Sequence, residues 1–214
     1  MFLGQSTARR GLVRHRASRL VKATLDKESM RTATVTIEGV SAYSQSKHHS
    51  EPKIGEETND AHERRTWRHR MHMNKDGYVY IPPMAAKNGL VSAAKFLNRK
   101  IPGERNKTFT KRFESGILCM EPLVLPIKRD AVLSEELFVP SDGVRGSGKR
   151  VVKVFSVIPD WGGDFVISVI DEKISEEVFA EHCEAWGKFI GIGRFRPEKN
   201  GFYGRFAVKG IEWS

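Results

Sequence analysis

A glycine-rich stretch near the end of the chain, residues 187–206 (GKFIGIGRFRPEKNGFYGRF), constrains the fold most strongly. Its five glycines disfavour a continuous helix or strand, because glycine loses more backbone entropy on folding than other residues do. Glycines also let a ligand approach the backbone, cations attract phosphate, and aromatic rings stack on unpaired bases. The stretch is therefore either a local turn with solvated basic residues or a contact site for a phosphate chain. Its cations and interleaved rings are Lys188, Arg194, Arg196, Lys199, Arg205, Phe195, Phe202 and Tyr203.

The charge balance favours an acidic polymer as the partner. The 214 residues include 36 Lys and Arg against 26 Asp and Glu, and the net charge of +10 suits nucleic acid first and an acidic membrane surface second. No apolar run is long enough to cross a bilayer, so we expect no membrane partner. Cys119 and Cys183 belong to no CxxC or Cys/His pair, which predicts neither zinc nor disulfides and a reducing, cytoplasmic setting.

The histidines give no sign of a catalytic or metal site. Five of them lie between residues 48 and 72, but none shares with a carboxylate a spacing that is typical of such a site. We therefore predict no metal, no cofactor and no catalytic residue. His182 falls within the apolar stripe of a helical pattern, which predicts a partly buried structural histidine.

The first residues of the chain are basic and have a different composition from the rest. Residues 1–25 contain no acidic residue, and their cations lie among Ser, Thr and Ala. This composition is typical of a transit peptide, of a nucleic-acid-binding arm, or of translated sequence upstream of a start at Met30. We expect residues 1–29 to form a flexible basic extension outside a single domain of residues 30–214.

The remaining patterns predict an α+β fold. Alternating apolar residues mark strands, and apolar residues three and four apart mark helices. The resulting order is βαββαβ with one additional strand and long insertions, a ferredoxin-like antiparallel sheet with helices on one face. RRM-type RNA binders share this plan, although RNP motifs are absent here. The predicted elements are strands 31–41, 117–127, 151–158, 165–171 and 204–213, and helices 84–97 and 175–190, with a short strand at 77–83.

Two polar segments are predicted to be insertions in this order. The first, residues 42–75, is expected to be long and mobile, and the second, residues 128–150, to be a flexible hairpin tip. Residues 98–113 are expected to form a further exposed basic segment. The basic residues of the two insertions, with the tryptophan among them, are Arg64, Arg65, Trp67, Arg68, Arg145, Lys149 and Arg150.

These features together resemble the RAMP superfamily of CRISPR-associated proteins, particularly its Cas7-like backbone subunits. Members commonly carry a glycine-rich loop between the second helix and the final strand, and this chain has a similar loop at Gly191, Gly193, Gly201, Tyr203, Gly204, Arg205 and Phe206. The stretch YIPPMAAKNGLVSAAKFL (80–97) is similar to the start of the first helix in such proteins, with Pro82, Lys87 and Gly89 as counterparts. Pro83 and Met84 replace the serine pair that is usual there.

The resemblance implies a non-catalytic subunit that binds single-stranded guide RNA through its phosphates, alongside other effector subunits and copies of itself arranged head to tail. The two insertions correspond to candidate thumb and finger regions. Two alternatives stay open: an endoribonuclease of the RAMP type that uses a histidine of residues 48–72, and a phage protein that binds or anneals single-stranded DNA. The expected RNA-binding residues are Lys87, Arg64, Arg65, Trp67, Arg68, Arg145, Lys149, Arg150, Lys188, Gly191, Gly193, Arg194, Arg196, Lys199, Gly201, Tyr203, Gly204 and Arg205.

Overall fold

The computed structural model describes residues 30–142, 144, 146 and 148–214, so the predicted extension 1–29 and Arg145 lie outside the described residues. Eight strands and four α-helices follow one another in this part of the chain. The strands are β1 Arg31–Gly39, β2 Tyr78–Ile81, β3 Ile117–Cys119, β4 Leu123–Lys128, β5 Leu133–Pro140, β6 Arg150–Val157, β7 Gly162–Val169 and β8 Phe206–Trp213. The helices are α1 Asn59–Thr66, α2 Pro83–Leu97, α3 Thr110–Gly116 and α4 Glu176–Ala185, and a π-helical segment, Trp186–Ile190, continues α4.

The main sheet has the strand order β3-β7-β1-β8, and all its neighbouring strands are antiparallel. In chain order these are its second, third, first and fourth strands. Helix α2 lies between the first and second of them, and α4 lies between the third and fourth. The predicted ferredoxin-like βαββαβ order is therefore confirmed.

One face of this sheet is buried under the helices. Alternation along β1 buries Ala33, Val35 and Ile37, as the sequence predicts. Trp186, at the end of α4, is fully buried and its ring lies 4.7 Å from that of Phe206 at the start of β8, measured between centroids. The fold thus holds both ends of the glycine-rich stretch against the core.

The other face of the sheet is mostly polar, with Leu118 and Val166 as exposed apolar side chains, and it lacks the features of an RRM surface. Cross-strand pairing sets Thr34 beside Glu212, and the Thr36 hydroxyl donates to Asp164 at 2.7 Å. Among the described strands, no aromatic side chain lies on this face. Single-stranded RNA binds the sheet of an RRM by stacking on aromatic rings, so this face is a poor counterpart.

One predicted strand is divided in two, and one strand was not predicted. The single strand predicted at 117–127 is broken around Pro122 into β3, which pairs with β7 in the main sheet, and β4, which pairs with β2. The predicted flexible segment 128–150 contains β5, which pairs with β6 along its whole length, from Leu133 opposite Val157 to Pro140 opposite Arg150. Strand β5 shows little apolar alternation because most of its side chains are exposed, and its order comes from backbone pairing. Strand β5 ends at Pro140, and β6 begins at Arg150.

The segments predicted as mobile or exposed are also folded. Residues 42–75 contain α1, in which the Thr58 hydroxyl accepts a hydrogen bond from the Ala61 amide. In residues 98–113, Phe109 and Phe113 are buried, and Phe113 stacks on His182 at 4.3 Å between ring centroids. His182 is itself fully buried and its Nδ1 donates to the Val178 carbonyl at 2.6 Å, which agrees with its predicted structural role. Burial lowers the pKa of His182.

Among the described residues, no helix is long and apolar enough to cross a membrane.

Candidate nucleic-acid interface

The glycine-rich stretch folds back onto the segment that follows β1. The Arg194 amide donates to the Ser44 carbonyl at 2.7 Å, the Gly204 amide to the Ala42 carbonyl at 2.8 Å, and the Ile192 amide to the Gly204 carbonyl at 2.9 Å. These bonds hold the two halves of the stretch together. It is therefore a fixed loop whose side chains have defined positions.

Its glycines serve this folding more than ligand contact. Gly204 has φ +73°, and a Cβ there would collide with the Ile192 carbonyl. The amides of Gly191 and Gly201 donate to the carbonyls of Trp186 and Arg196, at 2.7 and 3.1 Å. Gly191, Gly201 and Gly204 therefore have no free N–H group for phosphate, which corrects their expected role. Within the described residues, the Gly193 amide has no hydrogen-bond partner.

Tyr203 is not available for base stacking. Its ring is buried, and its hydroxyl donates to the Glu135 carboxylate on β5. Burial and the nearby Glu135 raise the pKa of Tyr203. The neighbouring Phe202 is 49% exposed, and its ring packs edge-on against Phe195 at 5.3 Å between centroids. Phe202, the other candidate suggested by the sequence pattern, is thus the exposed ring of the pair.

A large cleft separates the β5–β6 hairpin from the glycine-rich stretch. Its volume is about 760 Å³, and we call it the wide cleft. Four cations and two aromatic residues line it, and among the described residues no carboxylate does. The residues that line the wide cleft are Val139, Pro140, Ser141, Gly146, Arg150, Lys153, Phe155, Arg194, Phe195, Lys199 and Asn200.

The four cations of the wide cleft differ in how they are held. The Arg194 guanidinium lies 3.8 Å from the centroid of the Phe155 ring and donates to the Val154 carbonyl at 3.2 Å, so it is fixed against β6. Lys153 is paired with the buried Glu63 at 3.1 Å. Within the described part of the chain, Arg150 and Lys199 have no carboxylate partner. These two are the cations most available to a phosphate chain.

A second cleft lies on the other side of Arg194, between the glycine-rich stretch and the first half of α2. Its volume is about 360 Å³, and we call it the narrow cleft. Arg194 and Arg196 line it, and Arg196 is paired with Glu198 at 2.9 Å. The other residues that line the narrow cleft are Tyr43, Gln45, Ser46, His72, Pro82, Ala85, Asn88, Gly89, Gly191, Ile192 and Gly193.

The basic cluster on and after α1 does not belong to either cleft. Arg64 forms a bidentate pair with Glu136 at 2.8 Å, and Arg65 pairs with Glu57 at 2.9 Å. Trp67 is buried, and the Arg68 guanidinium lies 4.2 Å from the centroid of its ring. RNA contact by Arg64 or Arg65 would therefore compete with these surface ion pairs, and the buried Trp67 ring leaves little surface for a base; a role for these residues in RNA binding stays a prediction.

Several predicted RNA-binding residues lie outside both clefts, and a cation and an aromatic residue that line the wide cleft were not predicted. None of Lys87, Lys149, Lys188 and Arg205 lines either cleft. Lys153 and Phe155, by contrast, were not predicted. They are two residues apart on β6, and the alternation of RVVKVFSV places them on the same side of the strand, which is the signal that could have revealed them.

The buried carboxylate of Glu63 joins α1 to the hairpin. It accepts hydrogen bonds from Arg70 at 3.0 Å, from Lys153 at 3.1 Å and from the Val154 amide at 3.3 Å. Burial raises the pKa of Glu63, but the Lys153 hydrogen bond and the Arg70 charge outweigh that effect, so the pKa is lowered. Glu63 therefore holds β6, and with it one wall of the wide cleft, in place.

Replacing Glu63 by Gln is expected to lower the free energy of unfolding by about 2 kcal/mol at pH 7, because the cations lose their buried partner. Because the pKa of Glu63 is lower in the folded state, its ionised carboxylate stabilises the protein at a pH above the usual carboxyl pKa. This stabilisation is lost as the pH falls through the folded-state pKa. The gap between wild type and variant should therefore narrow below about pH 4. Urea unfolding at pH 7 and below about pH 4 measures the difference in unfolding free energy between the wild type and the variant. The exposed Glu136→Gln variant is the control, with an expected loss below about 1 kcal/mol; a gap that does not change with pH would contradict the assignment.

In the first insertion, His49 packs beside His62 and His69, and none of the three lines either cleft. The ring of His49 lies 6.1 Å from that of His62 and 5.9 Å from that of His69, between centroids. Burial and the Arg70 charge lower the pKa of His49. Within the described residues, no group of His, Cys, Asp and Glu could hold a metal ion.

The fold has counterparts among solved structures. No family model and no curated protein matches the sequence. The chain is similar to one in the cryo-EM structure of the Type III-B Cmr-beta bound to cognate target RNA, with 13% identity, a TM-score of 0.50 and coverage of 92% of this chain. It spans 65% of that chain, slightly less than two thirds.

Two further structures have lower scores. Cmr6 from Pyrococcus furiosus is 14% identical, with a TM-score of 0.43 and coverage of 84% of this chain and 99% of that one. A chain of a CRISPR RNA-guided surveillance complex is 9% identical, with a TM-score of 0.39 and coverage of 85% and 67%. At such identities the likeness concerns the fold alone, and these two lower scores support no functional proposal.

Proposed function

We propose that this protein is a single-stranded RNA-binding subunit of a CRISPR-type ribonucleoprotein, and that RNA lies in the wide cleft. The observation that carries the proposal is the convergence of four cations and two aromatic rings, from the hairpin and the glycine-rich stretch, in a cleft where none of the described lining residues carries a carboxylate. Cations attract the phosphates, and Phe195 together with the nearby exposed Phe202 offers rings for unpaired bases.

The preference for RNA and for a multisubunit setting draws on the similarity of fold. The similar chain belongs to a Cmr-beta structure that contains target RNA. We propose guide RNA, other effector subunits and copies of this chain arranged head to tail as partners, as the resemblance to Cas7-like subunits implies. We also propose a binding role without catalysis: none of the three clustered histidines lines the wide cleft, so none is placed to act on RNA held there.

Binding of short fluorescent oligonucleotides to protein freed of nucleic acid tests the proposal. We expect single-stranded RNA to bind more tightly than duplex RNA, because stacked and paired bases cannot reach the aromatic rings, and its affinity to fall as salt rises. RNA recovered after incubation, with and without divalent cations, should keep its length. Absence of binding at low salt would refute the proposal, shortened RNA would favour the endoribonuclease, and a preference for single-stranded DNA would favour the DNA-binding alternative.

A further inference from the structure

The narrow cleft contains a hydrogen-bond donor that the protein leaves unused. Gln45 is 3% exposed and lines this cleft, and its Oε1 accepts a hydrogen bond from the His72 amide at 3.2 Å. Its Nε2 is buried and has no partner among the described residues. A buried donor without an acceptor is costly, so an acceptor bound in the cleft would stabilise this arrangement.

The start of α2 lines the same cleft. Pro82, which caps this helix of 15 residues, and Ala85 and Asn88 in its first turns belong to the lining. The first turn has no acidic residue, and no side chain caps it. The Ala85 amide already donates to the Pro82 carbonyl, so the start of α2 offers this cleft the positive end of its dipole rather than a free amide; the dipole favours an anion in the cleft.

The opposite wall adds further donors. Gly193 contributes an amide that has no partner within the described residues, and Arg194 contributes a guanidinium group, whereas the guanidinium of Arg196 is already paired with Glu198. In the part of the chain that the structure describes, no carboxylate lines the narrow cleft. Donors and positive charge thus converge from the segment after β1, from α2 and from the glycine-rich stretch.

We infer that the narrow cleft binds one phosphate group, held by the Gln45 side-chain amide, the start of α2, and Arg194. A phosphate group offers several acceptor oxygens and negative charge, which matches a set of donors that converge from different sides. Arg194 lines both clefts, so a strand in the wide cleft has this site beside it. The inference rests on the proposed function only for the source of the phosphate, which is either a phosphodiester within the strand or a terminal phosphate.

The Gln45→Glu variant tests the inference. A carboxylate keeps an acceptor for the His72 amide but replaces the free donor by negative charge. We expect binding to single-stranded RNA to weaken at least tenfold. Equal losses for 5′-phosphorylated and 5′-hydroxyl RNA identify an internal phosphodiester, and a loss confined to the phosphorylated RNA identifies a terminal phosphate. Unchanged affinity for both RNAs overturns the inference.

Asn59→Asp is the matched control, because it adds the same charge at the exposed start of α1, outside both clefts. We expect it to change RNA affinity less than twofold. Should Gln45→Glu fail to fold, Gln45→Met removes the Nε2 donor, together with the Oε1 acceptor of the His72 amide, at similar length and without adding charge, and the same tenfold loss is expected.

Inorganic phosphate separates this inference from the proposed function. At equal ionic strength, phosphate should raise the unfolding midpoint of the wild type more than that of the Gln45 variants. If phosphate stabilises the wild type more than the variants but the wild type binds no RNA, the proposed function is refuted and the phosphate site is supported. A second pattern would refute the phosphate site alone. In that pattern the wild type binds RNA, phosphate stabilises the wild type and the variants equally, and the variants keep the wild-type RNA affinity.

Discussion

Replacing Gly204 by Ala is expected to lower the free energy of unfolding by about 3–5 kcal/mol. Two effects combine at this position. The backbone has φ +73°, which strains any residue with a Cβ, and the added carbon would collide with the Ile192 carbonyl. Because that carbonyl belongs to the backbone of the same loop, it cannot move without breaking the loop's hydrogen bonds. Urea unfolding of the variant measures the loss.

Gly210→Ala is the matched control for this prediction. Gly210 lies on β8, and a Cβ there meets no atom within 4 Å. The same chemical change should therefore alter stability by less than about 1 kcal/mol. A Gly204 variant that is as stable as the wild type but binds RNA weakly would contradict the structural role and restore Gly204 as a phosphate contact.

The sequence predicts the helices and strands in which the buried side chains recur with the period of the helix or the strand. Alternation on β1 and the apolar stripe of α4 each reflect one buried face, and both elements form where the pattern indicates. The position of the glycine-rich loop follows from these elements, because a long loop must join α4 to the final strand.

The elements that escaped prediction depend on partners distant in sequence. Strand β5 is exposed on most positions and is ordered by pairing with β6. Helix α1 is rich in charged residues. Its buried Glu63 carboxylate is stabilised by hydrogen bonds from Lys153, Val154 and Arg70. No periodicity within α1 carries that information.

The candidate site was predicted in part for the same reason. A local motif identified the loop that carries Arg194 and Lys199, and composition identified Arg150 in the hairpin. The motif could not distinguish glycines that fold the loop from glycines that contact a ligand. Nor could it tell that Arg64 and Arg65 are already paired with carboxylates. Those distinctions require the positions of atoms from separate segments.

Replacing Arg150 and Lys199 together by Gln is expected to weaken single-stranded RNA binding roughly 100-fold, or about 3 kcal/mol. These two cations line opposite walls of the wide cleft, Arg150 on the hairpin and Lys199 on the glycine-rich stretch. Neither has a carboxylate partner within the described residues, so their loss should leave the free energy of unfolding within about 1 kcal/mol of the wild type. Titration of the RNA and urea unfolding measure the two quantities.

Lys100→Gln with Arg105→Gln is the matched control. Both residues are exposed cations in the segment between α2 and α3, neither has an ion-pair partner in the described part of the chain, and neither lines the wide or the narrow cleft. The control removes the same net charge. It should weaken RNA binding less than about threefold, through the long-range field alone.

The salt dependence of RNA affinity in these two double variants tests the wide cleft most directly. Each lost phosphate contact lowers the steepness of log affinity against log salt by about 0.7 for a single strand. The Arg150/Lys199 variant should therefore have a slope shallower than that of the wild type by about 1.4, while the Lys100/Arg105 variant keeps the wild-type slope. Equal slopes in all three proteins, or the same decrease in both variants, would contradict RNA binding in the wide cleft.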